Sequence, residues 1–487
     1  MNLRRWLTPG IGVKRWLLLA FVGLLILALG FAHALRQATR DLEPGGVSGQ
    51  ILDALTLQFL PLELRGLVGV AAGAAIFVFG VYRLMRALVA PFRDDASDQP
   101  LVEVIYQKRF LARGPRIVAL GGGTGLSTLL RGLKEHTSNL TAVVTVADDG
   151  GSSGRLREEL GIPAVGDIRN CIVALADAEP LMSRLLQYRF PGTGPTPLRG
   201  ATTATTELSV VSGPTDGSLV TLTTEQTEPA APTQQTEPTQ ATEPTGLAGH
   251  AIGNLLLAAL CALENDDFEE AVREMNRVLA VRGRVVPATS TPVVLHARLA
   301  DGTVVEGQSR ITRAAGVHEV WVTPGDVAAT RDAIRAIEEA DVVVLGPGSL
   351  FTSVLPAVLV PGIRDALSTT GALRVYVCNV ATQDGETTGF DLASHVEAFE
   401  RHAGSRLLDA VLANNRFDAR APGGWLGEPV RLRWPPAGQR PPRLILDDMI
   451  DPANAHRHDS DRLATALMRI WDREGGSRRR APVARSA

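Results

Sequence analysis

The chain has 487 residues, of which 45% are hydrophobic and only 5% aromatic, and its formal net charge is −3. That length suits a membrane segment plus one or two sizeable domains, and so small a charge excludes a global field that would draw nucleic acid. The three cysteines, Cys171, Cys261 and Cys378, lie far apart in apolar contexts with no CxxC pair, which argues for a reducing compartment and against structural disulfide or zinc.

Two apolar runs open the chain. Trp16–Leu35 contains one imidazole, His33, and no charged residue, and it is long enough to cross a bilayer. Gly66–Tyr82 is a shorter run with Gly and Ala throughout. A cleaved signal peptide is the rival for the first run, but its apolar core is too long and a second span follows. Arg4, Arg5, Lys14 and Arg15 precede the first span, and Arg83, Arg86 and Arg93 follow the second. The loop between them balances Arg36, Arg40 and Arg65 against Asp41, Glu43, Asp53 and Glu63. This bias predicts an α-helical membrane hairpin over residues 1–92 with both ends in the cytoplasm. The protein is then a multi-pass cell-membrane protein with its main domain cytoplasmic. Residues 93–113 read as a polar linker.

The main domain, 114–194 and 247–460, opens on Ile117-Val118-Ala119-Leu120 running into Gly121-Gly122-Gly123-Thr124-Gly125, then Leu126, Leu129, Leu130 and Leu133 at helical spacing. This reads as strand, tight turn, helix. Such a turn aims backbone N–H groups and the positive helix end at one spot, where an anion fits. A second apolar run, Ala142–Ala147, ends in Asp148-Asp149-Gly150-Gly151-Ser152-Ser153-Gly154. Acidic residues there sit where α/β nucleotide folds hold a sugar hydroxyl. Gly166-Asp167-Ile168-Arg169-Asn170 follows. Neither stock motif fits: the glycines lack the Lys of a P-loop, and Leu126 replaces the third Gly of the dinucleotide fingerprint.

Helical patterns continue to Phe190. Residues 195–246 then turn Thr-, Pro- and Gln-rich, with Thr-Glu-Pro recurring at Thr227, Thr236 and Thr242. That composition predicts a disordered surface insertion. His250 and Asn254 share one face of an apolar helix running to Leu263. Each either satisfies a neighbouring loop or meets a ligand. Val293–Leu299 and Thr303–Gly307 flank Asp301-Gly302 as a hairpin, and Glu319–Thr323 is a further β-element. A helix is predicted over Asp326–Glu339. Strand Asp341–Leu345 opens into Gly346-Pro347-Gly348-Ser349-Leu350, a third such junction, and Arg374–Val380 is another strand. Beyond Ala421 the chain is Pro- and Arg-rich until a helical pattern at Asp459–Trp471, so residues 461–487 read as a C-terminal helix and basic tail.

Strands alternating with helices predict a doubly wound, Rossmann-like parallel sheet carrying a β-hairpin insertion, with ligands beyond the strands' carboxyl ends. Three Gly loops on that edge suit an extended, phosphate-bearing ligand such as a nucleotide diphosphate. Asp148, Asp149 and Asp167 suit a divalent ion with bridging phosphates, or equally hydrogen bonds to ribose or sugar hydroxyls.

The runs Gly121–Gly125, Val144–Arg157 and Gly166–Asn170 resemble the gluconeogenesis factor family, the YvcK-like proteins related to the CofD-like 2-phospho-L-lactate transferases. So do Ala248-Gly249-His250…Gly253-Asn254, Val281–Val285, Gly346–Ser349 and Thr382-Gln383…Gly385-Glu386-Thr387. The resemblance spans roughly 115–460 apart from the insertion. It implies binding of UDP-sugars, typically UDP-N-acetylglucosamine, and a bacterial regulatory role linking carbon metabolism to peptidoglycan precursors and cell shape. It implies no required cofactor and no established catalytic residue. By position, Gly121, Gly122, Gly123, Thr124 and Gly125 would meet phosphates or uridine. Asp148, Asp149, Gly150, Asp167, Asn170, His250, Asn254, Gly346, Gly348 and Ser349 would line the pocket, and Arg457 would reach it from the C-terminal side. The chain has Phe351 where the family commonly has Tyr, losing a hydroxyl, and Pro356-Ala357 where it commonly has Pro-Asn, losing an amide.

The sequence therefore predicts a membrane-tethered nucleotide-sugar sensor rather than an enzyme. Its expected partners are the UDP-sugar, the membrane, a cell-wall precursor enzyme and a second copy of itself, with no nucleic acid. One rival is a phospho-group transferase with Mg2+ on Asp148 and Asp149. The other is a non-binding scaffold for cell-wall machinery.

Overall fold

Five strands of the computed structural model are hydrophobic on both faces, and that decides the architecture. β1 (Ile117–Gly121), β2 (Leu140–Val144), β7 (Val342–Leu345) and β9 (Ala410–Asn414) are buried at every residue, and β8 (Leu373–Val377) at all but Arg374. Such runs belong in a parallel sheet covered by helices on both sides. With β3 (Arg284–Pro287) and β10 (Arg443–Asp447) they form a seven-stranded sheet in the order β10-β9-β8-β7-β1-β2-β3. All six neighbouring pairs are parallel. The structure describes residues 111–176, 180–191, 246–417, 427–435 and 441–478, with Leu24, Pro61 and Phe79 standing singly. The predicted membrane hairpin, nearly all of the Thr/Pro-rich insertion and the basic tail lie outside these residues.

Strand order reverses at β1. From there the chain proceeds outward through β2 to β3, and the later half builds away on the other side from β7. The carboxyl ends of β1 and β7 therefore diverge, which makes the crevice where open α/β sheets bind ligands. Helices cover the faces. α1 (Gly123–Leu133) follows β1, α2 (Gly151–Leu160) and α3 (Gly166–Leu175) follow β2, and α4 (Pro180–Gln187) leads to the insertion. Beyond it come α5 (Ile252–Leu263) and α6 (Phe268–Val278), the latter capped by Asp267 accepting from Glu270 N–H.

A separate antiparallel sheet lies between β3 and β7, in the order β5-β4-β6: β4 (Val294–Leu299), β5 (Val304–Glu306) and β6 (Val317–Thr323). The predicted hairpin is its first two strands, and β6 joins at β4's other edge. A single helical turn, α7 (Gln308–Ile311), links β5 to β6.

The helix predicted from Asp326 begins only at Arg331, as α8 (Arg331–Glu339). Thr330 sets that start, because its hydroxyl accepts from Ala333 N–H and donates to Pro287 O. After β7 come a π-helical turn (Leu350–Val354), α9 (Leu355–Val358) and α10 (Pro361–Thr369), then α11 (Leu392–Ala403) between β8 and β9. A β-ribbon, β11 (Ile450–Asp451) and β12 (Asn454–His458), precedes the C-terminal helix α12 (Ser460–Arg478), which packs on α1. Strands β3 and β9 to β12 and helices α6, α10 and α11 are among the additions to what the sequence predicts.

Among the described residues no single helix is long and apolar enough to cross a membrane. One bent pair, Leu350–Val358 with Pro361–Thr369, matches a span in length and composition. Its break is 76°, and the first member is buried throughout. Phe351 and Ala357, the two departures from the family pattern, are both fully buried. The Phe351 ring lies edge-on to Phe390 and His402. The lost hydroxyl and amide therefore belong to the core.

Candidate ligand-binding site

The first and third Gly loops leave adjacent strands and touch. A Cβ on Gly125 would stand 2.6 Å from Pro347 O and 2.9 Å from the α-carbon of Gly348. Gly346 N–H donates to Leu120 O at 2.9 Å. Two residues beyond β8 hold the third loop in place. Gly348 N–H donates to Asn379 Oδ1 at 3.2 Å, and Gln383 Nε2 donates to Ser349 Oγ at 2.6 Å. The sequence places glycine here because two backbones approach within side-chain distance.

Both loops start helices, and buried carboxylates already meet both starts. Gly122, the N-cap of α1, supplies no side chain. Instead Asp167, from α3, accepts from Gly123 N–H. At the third loop Glu386 Oε1 accepts from Phe351 N–H at 2.7 Å and Thr352 N–H at 3.1 Å, while Oε2 accepts from the Thr352 hydroxyl. Burial pushes Glu386 up to about 7. Asp167 is likewise pushed up to about 7, first by burial and then by Asp148. Burial also raises Asp148, although Gly150 N–H and Ser153 hold its charged form. Asp167 Oδ2 is buried and, among the described residues, lacks a hydrogen-bond partner. An acceptor in that state calls for a donor.

Asp148 and Asp149 are neighbours in sequence but part in space. Asp149 Oδ1 accepts from Ser309 N–H at 2.8 Å, at the start of α7, so this carboxylate ties the Gly loops to the antiparallel sheet. Of the two carboxylates the transferase reading gives to Mg2+, Asp149 is thus already engaged, whereas Asp167 carries the open oxygen. Among the described residues no group of three or more His, Cys, Asp or Glu is placed to hold a metal ion.

His250 and Asn254 converge on one hydroxyl. Ser152 Oγ lies 3.1 Å from His250 Nδ1 and accepts from Asn254 Nδ2 at 2.9 Å. Asn254 Oδ1 accepts from Arg169 Nη1 at 3.0 Å, and Arg169 Nη2 donates to Asn170 Oδ1 at 2.9 Å. The chain Asn170–Arg169–Asn254–Ser152–His250 joins α2, α3 and the start of α5 under the second loop. Burial, then Arg155, lowers the His250 pKa, so the ring is neutral at pH 7. Of the two roles the sequence left open for this pair, the structure provides a neighbouring loop as partner, through a side chain rather than backbone.

Thr124 is exposed at the loop mouth, and Gly123, Gly125 and Gly150 are partly so. Arg457 is exposed on β12, a strand that packs against α1. Ser152, Arg169, Gln383 and Glu386 stand in the motifs that carry the resemblance, but neither they nor Asn379 are given a contact by the sequence. A Gly-Gly-Ser-Ser-Gly run signals a turn, and nothing in it announces a buried hub.

These features describe a Rossmann-like α/β protein with its candidate site at the topological switch point. The chain belongs to the gluconeogenesis factor family, within the wider group defined by the 2-phospho-L-lactate transferase CofD profile, which matches residues 117–422. It is 38% identical over 475 residues to a relative from Nostoc sp., covering 96% of this chain and 92% of that one. The gluconeogenesis factor of Bacillus subtilis is 41% identical over 306 residues, covering 63% of this chain and 80% of its own. A crystal structure of a UPF0052-family protein from Bacillus halodurans superposes with a TM-score of 0.57 at 36% identity, covering 73% of this chain and 99% of that one.

Proposed function

We propose that the protein binds a UDP-sugar, UDP-N-acetylglucosamine foremost, and acts as a regulatory sensor coupling carbon supply to cell-wall precursor synthesis and cell shape. The observation that carries this reading is the buried Asp167 Oδ2, which lies against Gly122 at the start of α1 and has no hydrogen-bond partner among the described residues. A ligand hydroxyl is the donor such an oxygen takes, and a nucleotide sugar brings several. With Gly123 N–H given to Asp167 and the third loop served by Glu386, the exposed Thr124 turn is the part of the site left open to a ligand. The diphosphate then lies along Thr124 and Gly150. In this reading the N-terminal hairpin holds the domain at the cytoplasmic face of the membrane, near a cell-wall precursor enzyme.

A second reading, phospho-group transfer, is favoured by the CofD profile. Asp148 and Asp167 would hold the Mg2+, which would supply charge neutralisation for the diphosphate. Calorimetry of the full chain with UDP-N-acetylglucosamine, UDP-glucose and UDP, each with Mg2+ and with chelator, tests both. Binding without turnover is the expected result. Mg2+-dependent product formation would replace the sensor with the transferase, and no affinity for any of the three would leave only the scaffold.

A further inference from the structure

The main sheet ends on β10, and among the described residues no strand pairs with its outer edge. The hydrogen bonds to β9 show which groups face outward. Arg443 N–H donates to Asp409 O at 3.0 Å, and Asn415 N–H donates to Asp447 O at 3.1 Å. In a strand the N–H and C=O of one residue point the same way and successive residues alternate. Arg443, Ile445 and Asp447 therefore face β9, and Leu444 and Leu446 present their main-chain groups outward.

An open edge is usually blunted by charge, proline or a bulge. This one is not. Its two charges are drawn onto α12, where Arg443 pairs with Glu474 and Asp447 accepts from Arg469 Nη1 at 2.8 Å. Between them lies an apolar triplet whose Leu446 is 44% exposed. A cleft of about 570 Å³ opens between this strand and α12, with Ile445, Ala466 and Ile470 on its walls.

We propose that β10 is the two-fold seam of a homodimer, in which a second copy adds its own β10 antiparallel and centred on Ile445. The strand is complementary to itself in this direction alone. Arg443 then lies across from the partner's Asp447, at both ends of the seam. Leu444 lies across from the partner's Leu446, and because both face outward each such pair exchanges two main-chain hydrogen bonds, four in all. Ile445 meets the partner's Ile445 as a non-hydrogen-bonded pair, with α-carbons about 4.5 Å apart. Parallel addition would instead bring like charges together. The isologous contact closes after two copies, and two seven-stranded sheets become one of fourteen.

The test is cysteine cross-linking of the full chain in its own membranes. Cys171, Cys261 and Cys378 are free and buried, so an introduced thiol reports with little background. In Ile445→Cys the predicted spacing lies inside the range a disulfide spans. Mild oxidation should carry most of the chain to twice its mass on a non-reducing gel. Arg457→Cys, exposed on another element, should stay monomeric. Leu446→Pro removes an outward N–H without removing a bond to β9. Light scattering in detergent should then show a folded monomer where the wild type is a dimer, melting lower only by the stabilisation that association supplied. A monomeric wild type would overturn the proposal. So would a 445 thiol that a maleimide labels but oxidation does not pair, or a dimer that persists in folded Leu446→Pro. If the proline variant unfolds, the cross-link alone decides.

Discussion

Asp167 Oδ2 lies over the α-carbon of Gly122, so close that a Cβ built there would stand 2.3 Å from it. Two neighbouring contacts repeat the arrangement. Asp148 Oδ2 would be 2.5 Å from a Cβ on Gly166, and Asp149 Oδ2 only 2.1 Å from one on Gly307. Each acidic residue of the second loop and of Gly166–Asn170 lies on a glycine of another segment. The motifs read as ligand contacts are also an interlock, and a side chain at any of those glycines separates the segments.

Gly122→Ala tests the interlock directly. Gly122 has an extended backbone that any residue adopts, at φ −166. The cost is therefore contact alone, against Asp167 and against Thr145 Cγ2 at 2.8 Å. We expect about 1–3 kcal/mol of lost stability, typical of overpacking, together with weaker UDP-sugar binding. Denaturant melts and calorimetry give the two numbers. A variant as stable as wild type would show that Asp167 moves aside without cost.

Stability should fall as pH rises toward neutrality. Asp167 and Glu386 both have folded pKa values near 7, above their ordinary 3.8 and 4.5. A raised folded pKa means the folded state holds the proton more tightly. That stabilisation is complete below about pH 4 and lost as pH climbs through 7. Asp167→Asn should flatten the curve, gaining on the order of 2–4 kcal/mol relative to wild type at pH 8. Urea melts at pH 5 and pH 8 decide it, and equal slopes for the two chains would refute the assignment.

Ser152→Ala removes the hydroxyl that His250 and Asn254 share. Ala251 N–H also donates to it, at 3.4 Å, so three buried polar groups lose a partner and destabilisation of about 1–3 kcal/mol is expected. Ser152→Thr, which keeps the hydroxyl, should recover part of it. If alanine is neutral, the network contributes nothing to the second loop.

Phe351→Tyr restores the hydroxyl common in the family, at a ring with no exposed surface. Affinities for UDP-N-acetylglucosamine and UDP-glucose should stay within about twofold, well under 1 kcal/mol. A change in their ratio would place this ring in the pocket after all.

The parallel sheet was legible because β1, β2 and β7 announce themselves as apolar runs that open into glycine loops, and β8 as a further apolar run. β10 did not, since Arg443-Leu444-Ile445-Leu446-Asp447 is short and sits among prolines and arginines. For the site, sequence spacing identified the residues but not their obligations. Asp148 and Asp149 look equivalent in the chain, yet one lies against Gly166 and the other caps α7. Glu386 stands 35 residues beyond the amide of Phe351 that it satisfies, and no local pattern predicts a cap from that distance.

The placement of β1 also has a temporal consequence. One of its edges pairs with β2, where Ile117 meets Leu140, but the other waits for β7, where the same Ile117 meets Val342, 225 residues later. At about 5–20 residues per second of synthesis, that second edge stays bare for roughly ten to fifty seconds on the ribosome. Throughout that time an inner strand of the finished sheet keeps one apolar edge unguarded. The nascent chain should therefore engage holding chaperones until Val342 emerges, and release them soon after.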